Sequence, residues 1–278
     1  MKLAAIIVTY YPNISEVEHN ISTFINDVDT LIVWDNSETP VGLEFLKQIY
    51  PNIILHQEGE NNGLSVAYNK AIQAARKLGY THLMTMDQDS TFENFKEYRR
   101  QIESFNDSTV GIFTCPINND IHVSGYRDTT VCQSGSIYTM EMLYHIGGFR
   151  EDLFIGMVDA EMSLRALEKG YKIYQIANCN LIQHIGSGRK AKLLSKEISV
   201  SDYGPLRHYY DSRNRILLWY EFPYDFSLRN KLLFFWSRIK LIMKILLFEE
   251  KKISKSKAIL IGTWYGLFNK TKSFNCSV

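Results

Sequence analysis

Neither sign of charge dominates this chain: 31 Lys and Arg stand against 30 Asp and Glu in 278 residues, a net charge of +1. That balance removes the broad basic field that a nucleic-acid surface needs. Cysteine is scarce as well. Its four copies, Cys115, Cys132, Cys179 and Cys276, follow no metal-ligand spacing, which points to reduced thiols in a cytosolic protein. The amino-terminal MKLAAIIVTYYPN has an apolar run too short for a signal peptide and no small-residue cleavage site. The longest late apolar stretch is broken by Arg238, Lys240 and Lys244, which argues against a membrane span. There is no internal repeat, no low-complexity linker, and neither a Walker loop nor a dinucleotide fingerprint.

What is present is enough chain to bury one large core, with or without an appendage. Four continuous apolar runs, Leu3 to Thr9, Leu31 to Trp34, Ile53 to Leu55 and Leu83 to Met86, read as strands. Helical stretches separate them, clearest in Leu64 to Leu78, where Val66, Ala67, Ala71, Ala74, Ala75 and Leu78 recur at helical spacing. Continuous rather than alternating strands predict a parallel sheet covered on both faces. Val110 to Thr114 reads as a further central strand, and Ile121 to Ser136 as shorter strands that make the sheet mixed. Met157 to Glu168 reads as an amphipathic helix ended by Gly170. Tyr171 to Ile176 and Asn180 to Ile185 read as strands, and Ser187 to Ser201 as a polar, basic loop. Pro205 to Tyr220 and Ser227 to Phe248 read as helices. The second is basic, aromatic and amphipathic, a composition suited to a membrane interface or to packing on the rest of the chain. The abundant Tyr and Phe, 17 and 15, suit sugar and base stacking and suit a core equally.

The most informative stretch is Met84 to Ser90, where an apolar strand ends in Asp87 and Asp89. Carboxylates at the carboxyl end of a strand lie where alternating α/β folds bind ligands. They are hard oxygen ligands for a Mg²⁺ or Mn²⁺ that bridges to phosphate. The alternative is helix capping, with Asp89 or Ser90 serving a helix near Glu93 to Phe105. Asp27 and Asp29 have the same spacing but read as a solvated helix end. The ends of the first two strands bring Thr9 and Asp35 to the same crevice, where Asp35 could accept the imide N–H of a pyrimidine or serve as turn chemistry. Asn61 to Ser65 opens a helix and could offer amides to a phosphate. Asp159 and Glu161 fall near a helix start, where Asp159 could act as a general base or as an N-cap. Glu161 and Arg165 read as an i,i+4 surface pair. His184 ends a strand beside a glycine-rich turn and could complete a metal shell, with Arg189, Lys190 and Lys192 following as phosphate partners.

In order, nine segments resemble glycosyltransferase family 2, in its rhamnosyltransferase-like branch: IIVTYYP (6–12), VWDNSE (33–38), NNGLSVAYNKAI (61–72), MDQDS (86–90), QSGS (133–136), GGFREDLFI (147–155), VDAEMSLRALEKGY (158–171), QHIGSG (183–188) and YYDSRNRILL (209–218). The resemblance covers roughly residues 3 to 220 and implies a GT-A fold, an α/β mixed sheet flanked by helices, followed by a helical extension over 221–278. It further implies a nucleoside-diphosphate sugar donor held through a divalent metal. On the matched positions, Thr9, Tyr11, Asp35, Asn62, Gly63, Asp87, Gln88 and Arg213 fall on the nucleotide-sugar side, Arg213 forming a pair with Asn214. Asp89 and His184 fall on the metal, Asp159 on the catalytic base, and Ser134, Gly135, Glu161 and Arg165 on the acceptor or supporting side. Two positions depart from the branch: Gly156 stands where an acidic residue is usual and Met162 where a tryptophan is. Both flank Asp159 in sequence, which leaves the acceptor open.

These residues imply inverting transfer of a sugar, rhamnose from dTDP-rhamnose by the branch, to a hydroxyl of a growing, lipid-linked saccharide for the cell surface. A UDP-hexose or UDP-galactofuranose donor is the alternative, as is a non-catalytic GT-A scaffold in a polysaccharide-assembly complex. A sugar-phosphate nucleotidyltransferase would want a glycine- and cation-rich loop after the first strand, and Thr9 to Asn13 offers none. The expected location is cytoplasmic, peripheral on the cytoplasmic membrane face.

Overall fold

The first apolar run, buried along its whole length, is strand β1 (Leu3–Thr9) at the centre of a mixed sheet. The computed structural model describes residues 1–118, 123–183, 189–193, 196–200 and 202–268. After β1 come α1 (Ile14–Ser22), β2 (Thr30–Asp35), the short α2 (Leu46–Ile49), β3 (Ile53–Gln57), α3 (Leu64–Lys77) and β4 (His82–Asp87). Next are β5 (Ser90–Glu93), α4 (Phe95–Glu103), β6 (Val110–Thr114), β7 (Gly125–Arg127), β8 (Ile137–Thr139) and α5 (Met140–Ile146). Then follow α6 (Val158–Glu168), β9 (Lys172–Gln175) and β10 (Asn180–Gln183). The chain continues with β11 (Arg189–Leu193), β12 (Lys196–Val200), α7 (Pro205–Glu221), α8 (Leu228–Phe248) and α9 (Lys252–Leu267).

The eight-stranded sheet runs β3-β2-β1-β4-β8-β6-β9-β7. Strands β3, β2, β1 and β4 run parallel to one another, as continuous apolar strands require, and β8 enters antiparallel between β4 and β6. The order reverses between β1 and β4, the place where open α/β sheets form a ligand crevice beyond their strand ends. Register aligns that edge: Thr9 sits opposite Asp35, and Val8 opposite Asp87. A small second sheet pairs β5 with β10 in antiparallel register.

The described residues form two compact units, those within 1–154 and 158–183, and 155–157 with those from 189 to 268. In the second, α9 lies tightly on α7 because glycines face it. A Cβ at Gly262 would come within 2.3 Å of the Tyr209 carbonyl oxygen, and one at Gly266 within 2.8 Å of Ile216. Helix α8 seats Phe234 edge-on to Trp219 of α7, ring centroids 5.1 Å apart. The segment expected as a polar loop contains a two-stranded hairpin, β11 with β12. Its charged sequence hides the pairing, since backbone hydrogen bonds hold a hairpin whatever its side chains.

At the foot of β4, burial first and the nearby terminal ammonium second push the His82 imidazole down to about 4 from 6.5. Its folded value lies below its unfolded one, so the unfolded chain binds the proton first as pH drops. Stability is therefore expected to fall between pH 6.5 and 4. Thermal denaturation of wild type and His82→Gln across that window checks this; equal slopes for the two proteins would remove His82 as the cause.

Candidate active site

The crevice beyond β2, β1 and β4 is built from side chains that hold one another. Asp35 is 1% exposed, and its Oδ1 accepts hydrogen bonds from Thr9 Oγ1 (3.0 Å), Ser37 N (3.1 Å) and Ser37 Oγ (2.7 Å). Gln57 Nε2 donates to the other oxygen at 2.9 Å. Asp35 thus fixes the strand ends around it. Tyr11, half exposed and held at φ 43°, donates its amide to Ser37 Oγ at 2.8 Å, which leaves its ring facing outward beside Tyr10.

Asp87 lies between two glutamine amides. Gln133 Nε2 donates to Oδ1 and Gln183 Nε2 to Oδ2, each at 2.7 Å. The orientation of each amide is set from behind: Tyr68 donates its hydroxyl to Gln133 Oε1 at 2.8 Å, and the Cys132 thiol lies 3.8 Å from Gln183 Oε1. Burial raises both of these groups, the Cys132 thiol to about 12 and the Tyr68 hydroxyl well above 10. Both therefore stay protonated and remain donors at neutral pH. Neither glutamine was picked out from sequence as a holder of Asp87, because the amide of a glutamine carries no signal until the fold aims it.

The Asp87–Asp89 pair is not a helix cap. Residues Ser90–Glu93 form β5, and α4 starts at Phe95 behind Asn94. Gln88 spans the crevice instead, accepting the Tyr10 amide at 2.7 Å on Oε1, while its carbonyl takes Asn20 Nδ2 at 2.6 Å. Ser134 Oγ accepts the Asp87 amide at 3.1 Å and lies 3.1 Å from Ser90 Oγ. Gly135 turns at φ +76°, and a Cβ there would press on Leu181 and Phe92.

Asp159 is the second residue of α6, with Oδ1 accepting the Ala160 amide at 2.8 Å. Ser163 Oγ donates to the Asp159 carbonyl at 2.8 Å and accepts the Val131 amide at 3.2 Å. The turn that carries Asp159 is thereby tied to the 131–133 segment whose Gln133 holds Asp87. The negative charges of Asp87, Asp159 and Asp89 all act on the Cys132 thiol and, after burial, raise it. The three carboxylates expected to carry the chemistry share one neighbourhood.

Glu161 and Arg165 are not a surface pair. Glu161 is 2% exposed, and Arg165 grips it with two hydrogen bonds, 2.6 and 2.9 Å. Arg165 also donates to the carbonyls of Ile146 and Gly148. Asn69 closes the same turn, accepting the Phe149 amide at 2.7 Å and donating to the Phe149 carbonyl at 2.8 Å. Gly148 must lack a side chain there, since a Cβ would fall 2.5 Å from Asn69 Oδ1.

At the start of α3, Gly63 N donates to Asn61 Oδ1 (3.1 Å) and Leu64 N to the Phe154 carbonyl (2.8 Å). These two amides are paired within the protein. Gly63 has φ +83°, and a Cβ would strike Phe154 at 2.7 Å. Asn62 donates to Glu60 Oε1 at 2.9 Å.

In the second unit, Arg213 is fully buried, with Nε donating to Asn214 Oδ1 at 2.9 Å and its guanidinium 4.7 Å from the Tyr210 ring centre. Asn214 Nδ2 donates to the carbonyls of Ile155 (3.0 Å) and Gly156 (2.9 Å), the residues that lead the chain towards Asp159. Gly156 sits at φ +75°, a conformation glycine adopts without strain. Met162 is fully buried, so that departure from the branch is a matter of core packing. His184 and the glycine-rich turn to 188 lie outside the described residues.

Among the described residues no group of three or more His, Cys, Asp or Glu is placed to hold a metal. Asp87 and Asp89 are hard oxygen donors of the kind that would hold a divalent cation beside a diphosphate. Both oxygens of Asp87 already accept amide hydrogens.

Residues 5–156 match the family model described as glycosyl transferase family 2. The chain is 25% identical over 238 residues to the dTDP-rhamnosyl transferase RfbF of Shigella flexneri, covering 77% of this chain and 78% of that protein. Among solved structures, it is similar to the mannosyltransferase PcManGT from Pyrobaculum calidifontis in complex with GDP-Man and Mn²⁺. The TM-score there is 0.57 and identity 14%, covering 97% of this chain and 88% of that one. It is also similar to GalNAc-T7 with UDP, GalNAc and Mn²⁺, at TM-score 0.55 and 13% identity, covering 66% of this chain and 44% of that one. At such identities these structural likenesses establish the fold, which is that of GT-A glycosyltransferases.

Proposed function

Because the chain belongs to glycosyl transferase family 2, we propose that it transfers a sugar from a nucleoside-diphosphate donor to an acceptor hydroxyl with inversion. The observation that supports this reading is that Asp87 ends β4 beside the sheet's switch point, gripped by Gln133 and Gln183, while Ser163 ties the 131–133 segment to the turn that carries Asp159. Asp159 takes the proton of the acceptor hydroxyl as that oxygen attacks the anomeric carbon from the face opposite the nucleotide. It stands in the first turn of α6 with the Ala160 amide on its Oδ1. Asp89 would hold Mg²⁺ or Mn²⁺ together with diphosphate oxygens, and such an ion supplies Lewis-acid stabilisation of the leaving group. Tyr11 offers a face for the base. Asp35 Oδ2 would meet a pyrimidine imide once Gln57 swings away from it.

Rhamnose from dTDP-rhamnose is the donor we propose, supported by the motif pattern and the likeness to RfbF. We place the chemistry in residues 1–220 and the acceptor, a lipid-linked saccharide, at the cytoplasmic membrane face, with residues 221–278 as an extension that keeps the enzyme there. A thermal-shift screen of dTDP-rhamnose, UDP-hexoses and UDP-galactofuranose with Mg²⁺ or Mn²⁺ tests the donor, since specific binding raises the melting temperature by mass action. No shift with any nucleotide sugar would sink the reading.

The ligand role of Asp89 has its own test. Asp89→Ala is expected to weaken donor affinity at least about tenfold when metal is present and little in its absence. Calorimetric titration with and without EDTA measures both; equal losses would take Asp89 out of the metal shell.

A further inference from the structure

Helix α8 turns an apolar stripe away from the protein. Leu228, Leu232, Trp236, Ile239, Met243 and Leu246 recur at intervals of three and four residues and so share one side of the helix. All are exposed, Trp236 by 55% and Met243 by 58%. The opposite side is the one that packs, with Phe234 and Ile245 buried and Arg238 paired to Asp211 at 2.6 Å. A helix of a globular protein ordinarily points its apolar side inward, so α8 carries a second stripe that its own unit does not cover. At 1.5 Å per residue that stripe is roughly 27 Å long.

Cations border the stripe. By helical position Arg229 and Lys240 lie along one flank, Lys240 resting 5.4 Å from the ring centre of Trp236, while Lys231 lies on the other side with its ammonium 6.0 Å from the Trp219 ring centre of α7. Helix α9 repeats the pattern on a smaller scale, with Ile253, Leu260 and Trp264 exposed at helical spacing and Lys257 among them. Among the described residues, no helix is long and apolar enough to cross a membrane.

We infer that this face of α8 lies flat in the headgroup layer of an anionic bilayer, its apolar stripe entering the acyl boundary and its flanking cations meeting lipid phosphates. Charge complementarity selects lipid over a second copy of the chain. Two such faces brought together would set like charges against each other, whereas an anionic leaflet satisfies them. The tryptophan midway along the stripe suits the interface, where one end of a ring is apolar and the other wet.

The test uses the full chain and two vesicle types, phosphatidylcholine alone and phosphatidylcholine mixed with phosphatidylglycerol, read by co-sedimentation. Wild type is expected to pellet with the mixed vesicles and to release as salt rises. The triple variant Trp236→Ser, Ile239→Ser, Met243→Ser changes only exposed side chains, so it should keep its melting temperature and lose binding about tenfold or more. Arg229→Gln with Lys240→Gln should lose the preference for phosphatidylglycerol. Wild type that binds neither vesicle, or a triple variant that binds as well as wild type, would overturn the inference. So would a wild-type dimer that the triple variant abolishes, since the face would then belong to a second copy. Vesicle binding needs no nucleotide sugar, so its failure would leave the transferase reading standing.

Discussion

Asp159→Asn is expected to lower kcat/KM for sugar transfer by about a hundredfold to ten-thousandfold, the range a positioned general base supplies. Donor affinity and melting temperature should change little. The structural reason is that asparagine keeps the size of the side chain and an oxygen to accept the Ala160 amide, now at 2.8 Å, so the first turn of α6 stays closed. What it removes is the capacity to take a proton. The Ser163 bridge to the Val131 amide runs from the Asp159 backbone carbonyl and not its side chain, so the segment that carries Gln133 and orients Asp87 is undisturbed. Donor titration and transfer rates on the same preparation separate the two effects. Near-wild-type turnover would remove Asp159 from the base role; joint loss of donor binding and turnover would assign it to the donor pocket.

The parallel half of the fold was legible because its strands are continuous apolar runs that only burial on both faces explains. Leu3–Thr9 and Val110–Thr114 form at the expected bounds, and Leu64–Lys77 ends one residue early. Helix α9 falls inside the expected helical extension, but its seat on α7 was not legible, because Gly262 and Gly266 replace bulk with close approach, a contact that only tertiary structure makes favourable. Two kinds of element escaped. The hairpin β11–β12 is written in charged residues whose pairing lies in the backbone. Strand β5 is only Ser90–Glu93 and takes its partner from β10, nearly a hundred residues on.

Within the site, sequence pointed to carboxylates and missed what aims them. A strand ending in Asp87 is visible as apolar residues followed by charge. The amides of Gln133 and Gln183 that grip both its oxygens are separated from it by long stretches of chain, and either could have been a surface residue. Asp35 illustrates the reverse case. Its residue type suggested a group open to a ligand, and its neighbours Thr9, Ser37 and Gln57 already bond to it, three of these bonds on Oδ1 and one on Oδ2. Short polar residues at strand ends bond to each other before they bond to anything else, and the sequence alone does not count those bonds.

The same lesson gives the largest effect expected on stability. Spacing read Glu161 and Arg165 as an ordinary helical pair, worth a few tenths of a kcal/mol at a surface. Burial changes the arithmetic. With the Glu161 side chain 3% and the Arg165 side chain 19% exposed, water does not replace a lost partner. Arg165→Met fills much of the same space but leaves the Glu161 carboxylate without its two donors and frees the carbonyls of Ile146 and Gly148. Breaking a buried pair from one side costs about 3–5 kcal/mol, which for a chain of this size lowers the melting temperature by about 10 °C. The turn over Gly147 and Gly148 should loosen with it, since Asn69 would then hold that turn from one side only. Replacing both partners, Arg165→Met with Glu161→Leu, should recover a large part of the loss, because no orphaned charge remains. Scanning calorimetry of wild type, the single variant and the double variant measures the coupling directly. A single variant within about 2 °C of wild type would mean that the carboxylate finds water or another donor, and that the pair is the surface ornament its spacing suggested.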